Sequence, residues 1–186
     1  MFGAPGSGKG THGKILGSIP GFFHCACGDV FRNLRADTEL GKVFIEYSSH
    51  GRLVPDSPTI QLWRRTIDGS TQMGRFHPEI DTLVLDGIPR NVNQARILDS
   101  LVRVARIIYL LGSDAQVMIN RIKRRAELEG RKDDADEDVI RRRLEVYRHE
   151  TKPVLDYYPS GQIAKIDALG TPDEVGAAIQ KELVAR

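Results

Sequence analysis

The sequence predicts a three-layer α/β fold built on a parallel sheet, and three observations carry that expectation. Short apolar, β-rich runs recur at residues 22–25, 82–85, 104–111 and 162–166. Longer segments with helical periodicity separate them, the alternation that strands joined by helical crossovers produce. A glycine-rich stretch at residues 3–11 leads directly into the first helical pattern, as at the first strand-to-helix turn of such a fold.

Taken in order, the chain begins Met1-Phe2 and runs straight into the glycine-rich loop, where a central strand of about five residues is expected. The first strand is therefore expected to be truncated or a stub, at the loss of large apolar side chains from the core. Helices are expected at 9–19, 29–36, 39–50, 58–69, 93–101, 115–129, 137–158 and 172–185. Residues 127–138 are dense in charge around Gly130 and read as a flexible surface loop. No internal repeat interrupts this order.

With 186 residues and 40% hydrophobic content the chain can bury one core, so a single folding unit is expected. Its 27 Lys and Arg against 25 Asp and Glu leave a net charge of +2, which gives no global field for a nucleic-acid partner. No run approaches the roughly 18 apolar residues of a membrane span, and no cationic segment followed by an apolar signal core opens the chain. A soluble, cytoplasmic protein without membrane partners is the expectation. Cys25 and Cys27 are expected on opposite faces of a strand, and neither a disulfide nor a metal site is expected of them.

The strongest local signal is Gly3-Ala4-Pro5-Gly6-Ser7-Gly8-Lys9-Gly10-Thr11, which fits G-x-x-x-x-G-K. Glycines let backbone N–H groups converge on phosphate oxygens, and the following helix offers its positive end to the same anion. Lys9 would reach the β and γ phosphates. Gly10 separates Lys9 from Thr11, whereas the usual motif has Ser or Thr directly after the lysine. By itself this loop specifies phosphate binding without choosing among hydrolase, switch and kinase. At Leu83-Val84-Leu85-Asp86-Gly87-Ile88-Pro89-Arg90 an apolar run ends in an aspartate, well placed at the carboxyl end of a strand to hold Mg²⁺ through water.

Helical spacing adds arginines. Ile140, Arg143, Leu144 and Tyr147 share one face, as do Met118, Arg121, Ile122 and Arg125, so Arg121, Arg125 and Arg143 are expected to point inward. Lys123, Arg124, Arg141 and Arg142 fall outside those stripes.

Together these segments resemble the adenylate kinase family, through the loop at 3–11, Asp86-Gly87-Ile88-Pro89-Arg90 and Gly28-Asp29-x-x-Arg32. Gly51-Arg52-Leu53-Val54-Pro55-Asp56, Arg131-Lys132-Asp133-Asp134 and Arg143-Leu144-x-x-Tyr147 extend the likeness over nearly the whole chain. The resemblance implies a phosphate-binding-loop NTPase fold with a five-stranded parallel sheet. It also implies a core at 1–25, 56–122 and 133–186, a helical nucleoside-monophosphate flap at 26–55 and a short lid at 123–132 without zinc. The implied reaction is ATP + AMP = 2 ADP with Mg²⁺, in a monomer.

The same resemblance distributes roles. ATP would be held by Gly6, Ser7, Gly8, Lys9, Gly10, Thr11, Arg121, Arg125 and Gly170. AMP would be held by Cys27, Arg32, Arg52, Leu53, Val54, Gly87, Ile88, Pro89, Arg90, Gln94, Arg131 and Arg143. Lys9, Arg90, Arg125, Arg131 and Arg143 would act on the transferring group, with Asp29 and Asp86 positioning hydrated Mg²⁺. The interval from Arg131 to Arg143 is one residue longer than the family's, which leaves Arg142 as an alternative to Arg143. Cys27 stands where the family carries Thr or Ser. His12, where the family often has Gln, reads as a surface or helix-edge residue. Gln94 favours adenine, since an amide both donates and accepts. A UMP/CMP kinase and a catalytically dead nucleotide-binding protein are the alternative readings.

Overall fold

In the computed structural model, residues 1–112, 114–131, 134 and 136–184 are described. Five parallel strands alternate with helices: β1 (Phe2–Gly3), β2 (Phe22–Ala26), β3 (Thr82–Asp86), β4 (Ile107–Leu111) and β5 (Ile163–Asp167). Their ladders run β1-β4-β5 and β2-β3. The two groups meet where the Met1 nitrogen donates to the Leu85 carbonyl at 2.8 Å. The first strand is thus a two-residue stub, paired Phe2 to Tyr109 and Gly3 to Leu110.

Period-two alternation sends successive strand residues to opposite faces and creates two apolar layers. On one face, Val84 of β3, Ile108 and Leu110 of β4 and Ile166 of β5 pack with Leu16 of α1 (Lys9–Gly17). Val175 and Ile179 of α9 (Pro172–Val184) complete that layer. On the other face, Cys25 packs with Phe31 of α2 (Cys27–Arg32), Trp63 of α4 (Asp56–Gln72) and Leu98 of α5 (Val92–Asp99). Phe2 and Ile107 join Ala95, Val154 and Tyr158 in a third cluster.

Local chemistry explains the helix starts. Thr38 caps α3 (Glu39–Ser48) by accepting from the Gly41 amide, and Asn91 caps α5 by accepting from the Gln94 amide. Asp114 accepts from the Gln116 and Val117 amides to open α6 (Ala115–Glu129), which Gly130 closes at φ 62°.

Three expectations are corrected. The helix expected over 137–158 is α7 (Glu137–Val146), a π turn (Tyr147–Thr151) and α8 (Val154–Tyr157). Pro153 has no N–H to continue the ladder, and the Lys152 amide reaches back to the Tyr147 carbonyl at 2.8 Å instead. The loop expected over 127–138 is helical through Glu129, while Lys132, Asp133 and Ala135 lie outside the described residues, as does Ala185 of the helix expected over 172–185. Cys25 and Cys27 share one apolar cluster rather than opposite faces: residues two apart along a strand lie on one side, and Cys27, the first residue of α2, keeps to that side.

Candidate active site

A cleft of about 830 Å³ opens along the carboxyl ends of the strands, where open α/β sheets bind ligands. The loop between β1 and α1 forms its floor. Gly6 and Gly8 hold φ values of 84° and 93°, which a residue with a Cβ rarely adopts. A Cβ on Gly6 would also stand 2.7 Å from the Met118 carbonyl, so the loop lies pressed against α6. Gly6, Ser7, Gly8, Lys9, Gly10 and Thr11 all line the cleft.

Lys9 Nζ donates to the Gly3 and Ala4 carbonyls at 2.8 and 3.0 Å. Burial pushes its pKa down to about 8; Asp86 opposes the shift, while Arg90, Arg125 and Arg143 reinforce it. The lysine of the free protein therefore discharges as pH rises through about 8. An anionic phosphate would keep it protonated, so ATP should bind about tenfold more weakly at pH 9 than at pH 7. Titration calorimetry across that range, with Lys9→Met as the flat control, checks the outcome; a pH-independent affinity would contradict it. Stability moves the opposite way. The unfolded lysine, with a pKa of about 10.4, binds more protons than the folded one between pH 8 and 10, so this group makes the free protein more stable as pH rises there.

Asp86 ends β3 beside the loop, with its Oδ2 3.6 Å from where a Cβ on Gly10 would stand. Burial raises its pKa, but His24, Lys9 and the Met1 amine outweigh burial and hold the carboxyl below its usual range. His24 Nε2 lies 3.8 Å away, close enough for charge interaction and too far for a hydrogen bond. A buried, ionised carboxylate facing a glycine-rich loop suits a hydrated Mg²⁺, which prefers few protein ligands and several waters. Asp29, in α2, also lines the cleft, with its Oδ1 2.5 Å from Arg32 Nη2 and 3.2 Å from Arg131 Nη2. Burial raises its pKa while Arg32, then Arg131 and Lys14, hold it low. Among the described residues no cluster of three His, Cys, Asp or Glu could hold a structural metal.

The expected arginines converge on this cleft from separate elements. Arg32, Arg52, Arg90, Arg121, Arg125, Arg131 and Arg143 all line it, and so does Gly170. Arg121 is braced on the Ala168 carbonyl at 2.7 Å and Arg90 Nε on the Gly87 carbonyl at 2.8 Å. The π turn also places the Thr151 hydroxyl 2.7 Å from the Arg90 carbonyl, to which it donates. Of the two residues that spacing left open, Arg143 faces the cleft, whereas Arg142 is exposed and reaches the His50 carbonyl.

Of the residues that the resemblance assigns to AMP, Cys27, Leu53, Val54, Gly87, Pro89 and Gln94 also line the cleft. Burial pushes the Cys27 thiol up to about 11, so it is a neutral wall of the cleft. Ile88 is a correction: it is 2% exposed, packs in the core with Trp63 and Leu98, and does not line the cleft. β3 has already ended at Asp86, and in the irregular segment that follows Gly87 and Pro89 line the cleft while Ile88 turns into the core. His12 is another correction, being buried below Gly8 and beside Gly176 of α9 instead of lying at the surface.

Sequence reasoning missed Asp134. It is fully buried, and its carboxylate accepts from both Arg125 and Arg143. Its position inside an arginine- and aspartate-rich segment was visible, but a fully buried carboxylate in a charged stretch leaves no periodic signal. Arg124 and Lys14 also reach the cleft from outside the apolar stripes.

A family model described as "Adenylate kinase" matches residues 1–163 of this chain. An adenylate kinase of Thermus thermophilus is 38% identical, with 98% of this chain and 95% of the relative covered. Adenylate kinases of Maricaulis maris and Thermobifida fusca are 37% and 36% identical, covering 98% and 100% of this chain and 96% and 97% of theirs.

Proposed function

Because this chain belongs to the adenylate kinase family and catalyses that family's phosphoryl transfer, ATP + AMP = 2 ADP, we propose how its residues divide the work. One observation supports the division: eight arginines and Lys9 line one cleft together with the glycine-rich loop and Gln94.

In this reading the loop amides of Gly6, Ser7, Gly8, Gly10 and Thr11 take the ATP phosphates and Lys9 their β and γ oxygens. Arg121 and Arg125 flank ATP, with Gly170 near its base. Arg32 and Arg90 hold the AMP phosphate, Arg131 and Arg143 span both nucleotides, and Cys27, Arg52, Leu53, Val54, Gly87, Pro89 and Gln94 enclose AMP. Asp86 and Asp29 would hold Mg²⁺ through its waters, and the ion would supply positive charge against the donor phosphates.

No general base is required, because the acceptor phosphate has a second pKa of about 6 and is already an oxyanion at neutral pH. The residues instead align two polyanions, exclude water and spread positive charge around the transferring group. Asp29 and Asp134 hold Arg32, Arg131, Arg125 and Arg143 in place within the cleft wall. Phosphates entering the cleft compete with these carboxylates for the same guanidinium groups. Residues 26–55 serve as the flap over AMP and 123–132 as a short lid in a cytoplasmic monomer. Among the described residues no helix is long and apolar enough to cross a membrane.

A coupled assay of ADP formation from MgATP, with AMP, UMP or CMP as acceptor, tests the reading. AMP should be strongly preferred. Arg90→Ala should lower kcat/KM for AMP by about 10³ while leaving ATP binding in place. A folded protein that binds ATP yet turns over no acceptor would exclude this division of labour.

A further inference from the structure

We propose that Asp56 selects adenine at the acceptor site by fixing the order in which the Gln94 side-chain amide presents its acceptor and its donor to the base. The proposal rests on the reading of Gln94 as the residue that meets the base of AMP. Gln94 is fully buried and forms part of the cleft wall. Its Oε1 accepts from the Arg90 backbone amide at 2.8 Å, and its Nε2 donates to Asp56 Oδ1 at 2.8 Å.

Both partners have a single hydrogen-bonding role. A backbone amide nitrogen can only donate, and an ionised carboxylate can only accept. Rotating the Gln94 amide by half a turn would set its NH₂ against the Arg90 N–H and its oxygen against the Asp56 carboxylate, leaving two buried clashes of like polarity. The orientation is therefore decided by chemistry.

Asp56 is itself held firmly. Asn91 Nδ2 donates to its Oδ1 at 2.8 Å and Asn93 Nδ2 to its Oδ2 at 2.7 Å. Partial burial raises its pKa, but the donors on Asn93, Asn91 and Gln94 outweigh it and keep the carboxyl below its usual range. Asn91 also accepts from the Gln94 backbone amide at 2.8 Å as the cap of α5, so its own bond to Asp56 ties the start of α5 to the start of α4. The sequence Asp56, Asn91, Asn93, Gln94 is thus one network with one direction of donation.

Each end of the fixed amide retains capacity: the oxygen has a second lone pair and the nitrogen a second hydrogen. What remains for a ligand is an acceptor and a donor in set order. Adenine complements that order, because its N6 amino group donates and its N1 accepts. A 6-oxopurine offers the reverse, an accepting O6 and a donating N1–H, and would need the flipped amide. Such unpaired buried groups are what make polar selectivity steep. Asp56 thus acts through Gln94 as a positioning residue.

The test uses steady-state kinetics of the full chain with AMP and with IMP, taking the Ki of IMP against AMP where its turnover is too slow. Wild type, Asp56→Asn, Gln94→Ala and the double variant are compared. Asp56→Asn should cut the AMP-over-IMP preference about tenfold, carried by a higher KM for AMP, with the KM for ATP moving less than twofold. In the Gln94→Ala background, the same change should shift the preference less than twofold. An unchanged preference in Asp56→Asn, an equal rise in the KM for AMP and ATP, or an undiminished effect without Gln94 would each overturn the proposal. A wild-type preference retained by Gln94→Ala would sink the base assignment itself, and the proposal with it. Should Asp56→Asn fail to melt cooperatively, Asn93→Ala loosens Asp56 from its exposed side. It should lower the preference about threefold, and an unchanged preference would again overturn the proposal.

Discussion

Replacing Lys9 with methionine should lower kcat for ADP formation by about 10³, the scale on which a cation aimed at a transferring phosphoryl group acts. Methionine keeps the unbranched stem as far as the ε position and removes the charge and the donors. The loss belongs to the chemical step because Lys9 lies between the loop carbonyls and the charges of Asp86, Arg90, Arg125 and Arg143. Single-turnover measurements at saturating ATP and AMP check this, and a loss under tenfold would remove Lys9 from the transition state. Part of any effect could come from the two bonds that Lys9 makes to Gly3 and Ala4. Thermal unfolding of the same variant separates the two contributions, since loosening of the loop lowers Tm whereas lost charge stabilisation does not.

The largest effect on stability is expected away from the chemistry, at Leu110. This residue is completely buried in β4, paired with Gly3 on one side and Ile166 on the other, among Leu16, Val84, Ile108 and Ile179. Leu110→Ala should cost about 3 kcal/mol, from lost apolar transfer and from the cavity left behind. For a chain of this size that lowers Tm by about 6–12 °C. The cavity would collapse poorly, because β1 has no side chain at Gly3 to fill it, and a Cβ there would lie 3.1 Å from Leu110 Cβ. Calorimetry decides the matter; a drop of less than 3 °C would mean that β1 relaxes into the gap. The comparison also tests whether a two-residue strand acts as a rigid wall of the core.

Much of this molecule could be read without coordinates. The glycine loop, the Asp86 segment and the inward faces of Arg121, Arg125 and Arg143 all rest on local order or on helical period, and local order survives folding. The α6 boundaries, Ala115–Glu129, were legible for the same reason: Asp114 and Gly130 are caps whose chemistry is complete within a few residues. The placement of Arg143 rather than Arg142 followed from the spacing of Ile140, Leu144 and Tyr147, even though counting from Arg131 left both open.

The errors fall where a distant contact decides. Ile88 lies in the same short segment as Gly87 and Pro89, yet the packing of α4 and α5 draws it into the core. His12 is polar and follows a surface-type loop, but Gly8 and Gly176 close over it from two elements. Asp134 became the anchor of two arginines only once α6 and α7 were folded beside each other. Sequence by itself determined the fold class, the glycine-rich loop and the family of reaction, because those depend on residue type and short-range spacing. Tertiary structure decided which charges are paired, which way Gln94 is turned and which side chains the core claims. Those outcomes depend on groups tens of residues apart that compete for the same hydrogen bonds and the same buried space.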